Sequence, residues 1–95
     1  MVMWFNVKEA RERLLKEGWV FTLRPRLRRE GKEPLFYNEF KKKGEVDVEL
    51  WATDPPEEVL RVITQFSGFK TYEEWREKAK DCKYVYLVRL IYENK

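Results

Sequence analysis

Glu45-Val46-Asp47-Val48-Glu49-Leu50-Trp51-Ala52-Thr53 alternates without a break. A period of two sends successive side chains to opposite faces, so Val46, Val48, Leu50 and Ala52 point inward and Glu45, Asp47, Glu49 and Trp51 outward. That is the pattern of an antiparallel strand with one buried face. Tyr84 to Tyr92 is apolar on both faces and interrupted only by Arg89, as a central strand would be. Arg89 is expected to be partly buried and paired with Glu45, Asp47 or Glu49.

Working outward, Trp19 to Arg24 is rich in aromatic and β-branched residues and is stopped by Pro25. As a strand it places Trp19, Phe21 and Leu23 on a core face and Val20, Thr22 and Arg24 along a groove. Met3-Trp4-Phe5 reads as a short strand or a core plug. Pro25 to Pro34 reads as a basic loop, Leu35 to Phe40 as a short strand and Lys41 to Gly44 as a turn.

Three helices fit between these segments. Asn6-Val7-Lys8-Glu9 has the form of a capping box and Gly18 a stop, giving a helix over 7–17 with Val7, Ala10 and Leu14 on its apolar face. Glu9 with Arg13 and Glu12 with Lys16 stand at i,i+4 on it. Asp54 before Pro55-Pro56 predicts a second helix with Val59, Ile63 and Phe66 on one face, ended by Gly68. Thr71-Tyr72-Glu73-Glu74 opens a third, reaching about Asp81, with Tyr72, Trp75 and Ala79 as its stripe. The order predicts one α+β domain over 1–95: a small, mostly antiparallel, strongly curved or partly closed sheet with about three flanking helices.

Composition narrows the chemistry. The chain has 95 residues, no histidine and one cysteine, which excludes His-based triads, imidazole–zinc sites and an internal disulfide. No apolar run approaches the ~20 residues that span a bilayer, so no membrane partner is expected. A cytoplasmic protein is expected, and its 39% charged residues resemble those of thermophile proteins. Net charge is +3 but uneven. Residues 24–43 hold eight basic and three acidic side chains, so this stretch carries +5 and the rest −2. Such a stretch is either a solvated loop or a side that faces a polyanion.

Gly18-Trp19-Val20-Phe21-Thr22-Leu23-Arg24, the Gly44 to Leu50 strand and Ser67-Gly68-Phe69-Lys70-Thr71-Tyr72-Glu73-Glu74-Trp75 together resemble the ASCH domain family, in the family's order. The resemblance implies a PUA-like β-barrel whose cleft recognises RNA or a nucleotide, some members hydrolysing an acylated nucleoside or RNA. Those amidohydrolase members use a Lys, a Thr and a Glu, of which this sequence keeps the Thr as Thr22. The Lys position falls on Trp19 or Val20 and the Glu position on Ser67.

The leading expectation is therefore non-catalytic binding of RNA, or of a nucleotide-like small ligand, through a basic cleft. Thr22 and Arg24 lie about 7 Å apart on one strand face and can reach one ligand; a structural ion pair is the alternative for Arg24. Arg26, Arg28, Arg29, Lys41, Lys42 and Lys43 are candidate phosphate contacts, or else solvated charges. Trp19, Tyr37 and Trp51 are candidate stacking rings, with core packing the alternative. Cys82 reads as a small hydrophobe. No catalytic residue, metal ligand or cofactor is assigned, and a monomer or weak homodimer is expected. The alternatives are a nucleoside amidohydrolase or ribonuclease with a rearranged site, and a protein-interaction or homo-oligomerising module.

Overall fold

The computed structural model describes residues 3–5, 7–37 and 41–94. Five strands form one sheet: β1 (Met3–Trp4), β2 (Trp19–Arg24), β3 (Gly31–Phe36), β4 (Lys42–Thr53) and β5 (Tyr84–Glu93), in the spatial order β1-β3-β4-β5-β2. The β1–β3 pair is parallel and the other three are antiparallel. The sheet curves but stays open, with β1 and β2 at its edges, so the curved-sheet expectation holds and the closed-barrel one does not. Three helices pack on it: α1 (Lys8–Glu17), α2 (Glu57–Ile63), which runs on into a 3₁₀ turn (Thr64–Phe66), and α3 (Tyr72–Lys78).

Both faces of the sheet carry a core. On the α1 side Met3, Phe5, Ala10, Leu14, Val20, Leu35, Val46, Val48, Tyr86 and Val88 pack together. On the other, Phe21, Leu23 and Val85 meet Leu60, Ile63, Phe69, Trp75, Ala79 and Cys82 from the second half of the chain. This corrects the reading of β2 as half core and half groove. Val20 is fully buried, because α1 lies over the face assigned to the groove. The first half of β5 alternates between the two cores, Tyr86 and Val88 to one and Val85 and Leu87 to the other, which is why it reads as apolar on both faces; beyond Arg89, Ile91 and Tyr92 are exposed.

Several boundaries move for local reasons. The alternation of β4 holds from Val46 to Leu50, then the ladder skips Trp51 and resumes with Ala52 opposite Val85. The extra residue reverses the parity of the strand, so Ala52 joins the α2/α3 core instead of the core of Val46 and Val48. β3 starts at Gly31, inside the expected loop, and contains Pro34. Among the described residues β1 pairs only with Leu35 and Phe36, so no described ladder bond is lost at Pro34 on that side. Lys42 and Lys43 open β4 and are not a turn; the expected end of the β3 segment at 38–40 lies outside the described residues.

Asp54 does not cap α2: it has φ +47, and Pro56 stands at the cap position. α1 begins one residue later than expected, with Val7 exposed at its cap position; the proposed cap Asn6 lies outside the described residues. Gly18 ends α1 at φ 84, its N–H donating to Leu14. Thr71 caps α3 as predicted, accepting from the Glu74 N–H at 3.1 Å, although the helix stops at Lys78. Removing that hydroxyl with Thr71→Ala is expected to cost about 1 kcal/mol in chemical denaturation. Arg89 pairs with Glu49 at 3.4 Å and Asp47 at 3.9 Å as expected, but its side chain is half exposed, not buried.

Candidate ligand pocket at the β2 edge

β2 is an edge strand, and its last four residues run along the opening between α1 and α3. The Leu90 N–H donates to the Gly18 carbonyl at 2.7 Å, which fixes the phase of the β2–β5 ladder. Alternation along an antiparallel pair then turns the N–H and C=O of Phe21 and Leu23 toward the open edge. Here lies a cavity of about 250 Å³, walled by Phe5 and Ala10 from the α1 side, Phe21 to Pro25 along β2, and Phe69, Trp75, Lys78 and Cys82 from the α3 side. Among the described residues no carboxylate side chain lines it.

Thr22 and Arg24 both face this cavity, as their spacing on one strand predicts. Thr22 is 6% exposed, and its Oγ1 is buried with no hydrogen bond among the described residues. A buried hydroxyl left without a partner costs about 1–3 kcal/mol. Thr22→Val is therefore expected to raise the thermal midpoint while weakening any ligand that bonds to the hydroxyl.

Arg24 stretches over Phe5, its guanidinium carbon 5.7 Å from the ring centroid and Nη2 3.8 Å from the Met3 sulfur. Burial, and secondarily the Arg28 charge, push its pKa down to about 10, so it stays cationic at neutral pH. Glu33 and Cys82 act in the opposite direction. Burial pushes the Cys82 thiol up, and its carbonyl accepts a 2.8 Å hydrogen bond from Arg76. Its expected role as a small apolar filler fits the α2/α3 core, and it also faces the cavity.

The basic stretch 24–43 does not form one surface. The β3–β4 hairpin places Gly31 opposite Val48 and Phe36 opposite Lys42. Arg24 pairs with Tyr84 at one end of β5, whereas Gly44 pairs with Glu93 at the other. Those nine steps of strand separate the two groups of cations by roughly 30 Å. Arg26 and Arg29 are exposed beside the pocket end. Arg28 is turned inward: Nη2 lies 2.5 Å from Glu33 Oε1, and its side chain also meets the Met3 sulfur. Its backbone N–H donates to the Tyr86 hydroxyl at 2.7 Å, and that hydroxyl donates to the Arg28 carbonyl at 3.2 Å. Glu30 accepts from the Leu50 N–H at 2.8 Å, so the 25–30 loop is pinned at two points. Tyr86→Phe removes the inner pin and is expected to cost about 1–2 kcal/mol by urea titration.

At the far end Lys41 is exposed, Lys42 Nζ lies 3.8 Å from Glu45 Oε2, and the Lys43 carbonyl accepts from the Asn94 N–H. A side-chain hydrogen bond with Tyr92 is the largest influence raising the Lys42 pKa. Of the stacking candidates, Tyr37 packs under Arg11, 5.5 Å from ring centroid to guanidinium, and burial pushes its hydroxyl up. Trp19 lies under Arg13 and against Phe66 with centroids 5.1 Å apart. Trp51 is 44% exposed and tilted onto Phe21 at 4.9 Å, so it is a rim residue of the α2/α3 core. None of these three rings lines the cavity, whose aromatic walls are Phe5, Phe21, Phe69 and Trp75.

No family model matches this chain, and no curated protein or solved structure matches it either. Among the described residues no group of three or more Cys, Asp or Glu side chains is placed to hold a metal ion. No helix among them is long and apolar enough to cross a membrane.

Proposed function

We propose that this protein binds RNA without catalysis, one nucleotide unit at a time, in the cavity at the β2 edge. The observation that carries the reading is that Thr22 and Arg24 line one cavity of about 250 Å³ with aromatic walls and, among the described residues, no carboxylate. Aromatic and apolar walls suit a base, a buried cation suits a phosphate, and a free hydroxyl with outward strand amides suits a base edge. The space is that of a single nucleotide, smaller than the usual pocket for a drug-sized ligand. A duplex has no place in it. The resemblance to the ASCH family supports the same reading, with the PUA-like cleft as the counterpart of this edge. Binding is favoured over hydrolysis because Thr22 Oγ1 hydrogen bonds to no side chain among the described residues that would take its proton.

The test is fluorescence anisotropy with a labelled single strand and a labelled duplex in a salt series. The single strand is expected to bind, Arg24→Gln to weaken it about tenfold and lower the salt slope by about one, and Thr22→Val to weaken it with no change in slope. Absence of binding to either RNA at low salt would overturn the reading.

A further inference from the structure

We infer that the pocket takes a phosphorylated nucleotide terminus, held between Arg24 and Lys78, with the rest of the strand leaving over Arg26 and Arg29. The inference rests on the proposed function and adds the part of the RNA that is recognised.

Three observations converge. Lys78, at the end of α3, lines the cavity together with Arg24, so among the described residues two cations and no carboxylate face the space. Lys78 is solvent-exposed whereas Arg24 is largely covered, so one charge stands at the mouth and one inside. A group carrying two negative charges, such as a terminal phosphate, matches that pair better than the single charge of an internal phosphodiester. Thr22 Oγ1, more than nine-tenths buried and without a hydrogen bond, points to a polar ligand atom in the same space.

The surroundings decide which way the strand runs. Lys78 and Phe69 also line a second recess, whose other lining residues are Glu9, Glu74 and Glu77. A strand passing through the pocket and out over that recess would carry its phosphates past three carboxylates, which repel them. At the opposite end, Pro25 leads into exposed Arg26 and Arg29. A polyanion can leave only on the basic side, so the residue in the pocket is an end.

The experiment uses the whole protein and one labelled RNA sequence in four forms: 5′-phosphorylated, 3′-phosphorylated, with two hydroxyl ends, and circular. One phosphorylated form is expected to bind about tenfold tighter than the hydroxyl and circular forms. Lys78→Gln should abolish that preference, bringing the phosphorylated, hydroxyl and circular forms within about twofold of one another when all are measured on the same variant. Arg26→Gln with Arg29→Gln should lower the salt slope by about two, and changing Lys41, Lys42 and Lys43 together to Gln should leave it unchanged. An unlabelled mononucleotide that competes only at far higher concentration identifies the strand end as the ligand; equal competition identifies the free nucleotide and overturns the strand exit. Equal binding of the linear phosphorylated and circular forms overturns the inference and leaves the proposed function standing. No binding of any form overturns both.

Discussion

Glu33→Ala is expected to lower the free energy of unfolding by about 3–5 kcal/mol, the usual cost of removing one member of a buried ion pair. The Glu33 side chain is 4% exposed and that of Arg28 12%, with 2.5 Å between Oε1 and Nη2. The carboxylate stands on the same face of β3 as Leu35, beside a core that includes Val46 opposite it. After Cys82, it also acts to raise the Arg24 pKa, which burial and Arg28 push down. Removing it leaves two guanidinium groups near each other, largely out of water, without that counter-charge. The double variant Arg28→Met with Glu33→Leu is expected to recover most of the loss, since replacing both members by apolar groups of similar volume avoids the desolvation penalty. Urea titrations of both single variants and the double variant give the coupling energy. Loss below 1 kcal/mol in Glu33→Ala would mean that the pair behaves as a surface one.

That pair also shows what the linear sequence conceals. Arg28 belongs to the most basic stretch of the chain, and only the return of β3 past the 25–30 loop turns it inward onto Glu33. Neighbours in sequence were equally deceptive over 24–43. Charges close along the chain are carried to opposite ends of β4 by a hairpin whose register depends on Gly31 meeting Val48. What could be read were features set within one element. The alternation of 46–50, the apolar run of 84–88 and the Thr71 cap depend on neighbours a few residues away. So does the joint placement of Thr22 and Arg24, which share a strand face. The bulge at Trp51 could not be read, because an unbroken alternation carries no sign of the residue that the partner strand will skip. Nor could the far wall of the pocket. Phe69, Trp75, Lys78 and Cys82 reach Thr22 only after the chain has crossed the sheet, and a lysine in the last turn of α3 is ordinarily explained by the helix dipole.

Gly68→Ala is the second large effect, and it couples stability to the pocket. Gly68 has φ +91, and a Cβ built there would lie 2.2 Å from the Glu9 carbonyl oxygen, 2.7 Å from its carbon and 3.1 Å from the Ala10 nitrogen. All three are backbone atoms of α1, so no side chain can rotate away; the helix or the 67–69 turn must shift. The turn is itself held, because Ser67 Oγ donates to the Thr64 carbonyl at 2.6 Å and accepts from the Phe69 N–H at 3.1 Å. Backbone strain of about 1–2 kcal/mol and overpacking of about 1–3 kcal/mol together give an expected loss of about 3 kcal/mol. Gly31→Ala is the control: its φ is +109, but nothing lies within 4 Å of the added carbon, so only the strain is expected, about 1–2 kcal/mol. The two variants differ in function as well. Gly68 stands next to Phe69, and the α1 residue it touches is followed by Ala10, both of which wall the cavity. Separating α1 from the turn widens that cavity, so Gly68→Ala should weaken RNA at temperatures where it is still folded, whereas Gly31→Ala should not. Thermal midpoints and anisotropy on the same samples check both, and equal destabilisation by the two glycine variants would show that α1 and the 67–69 turn are not in the contact described.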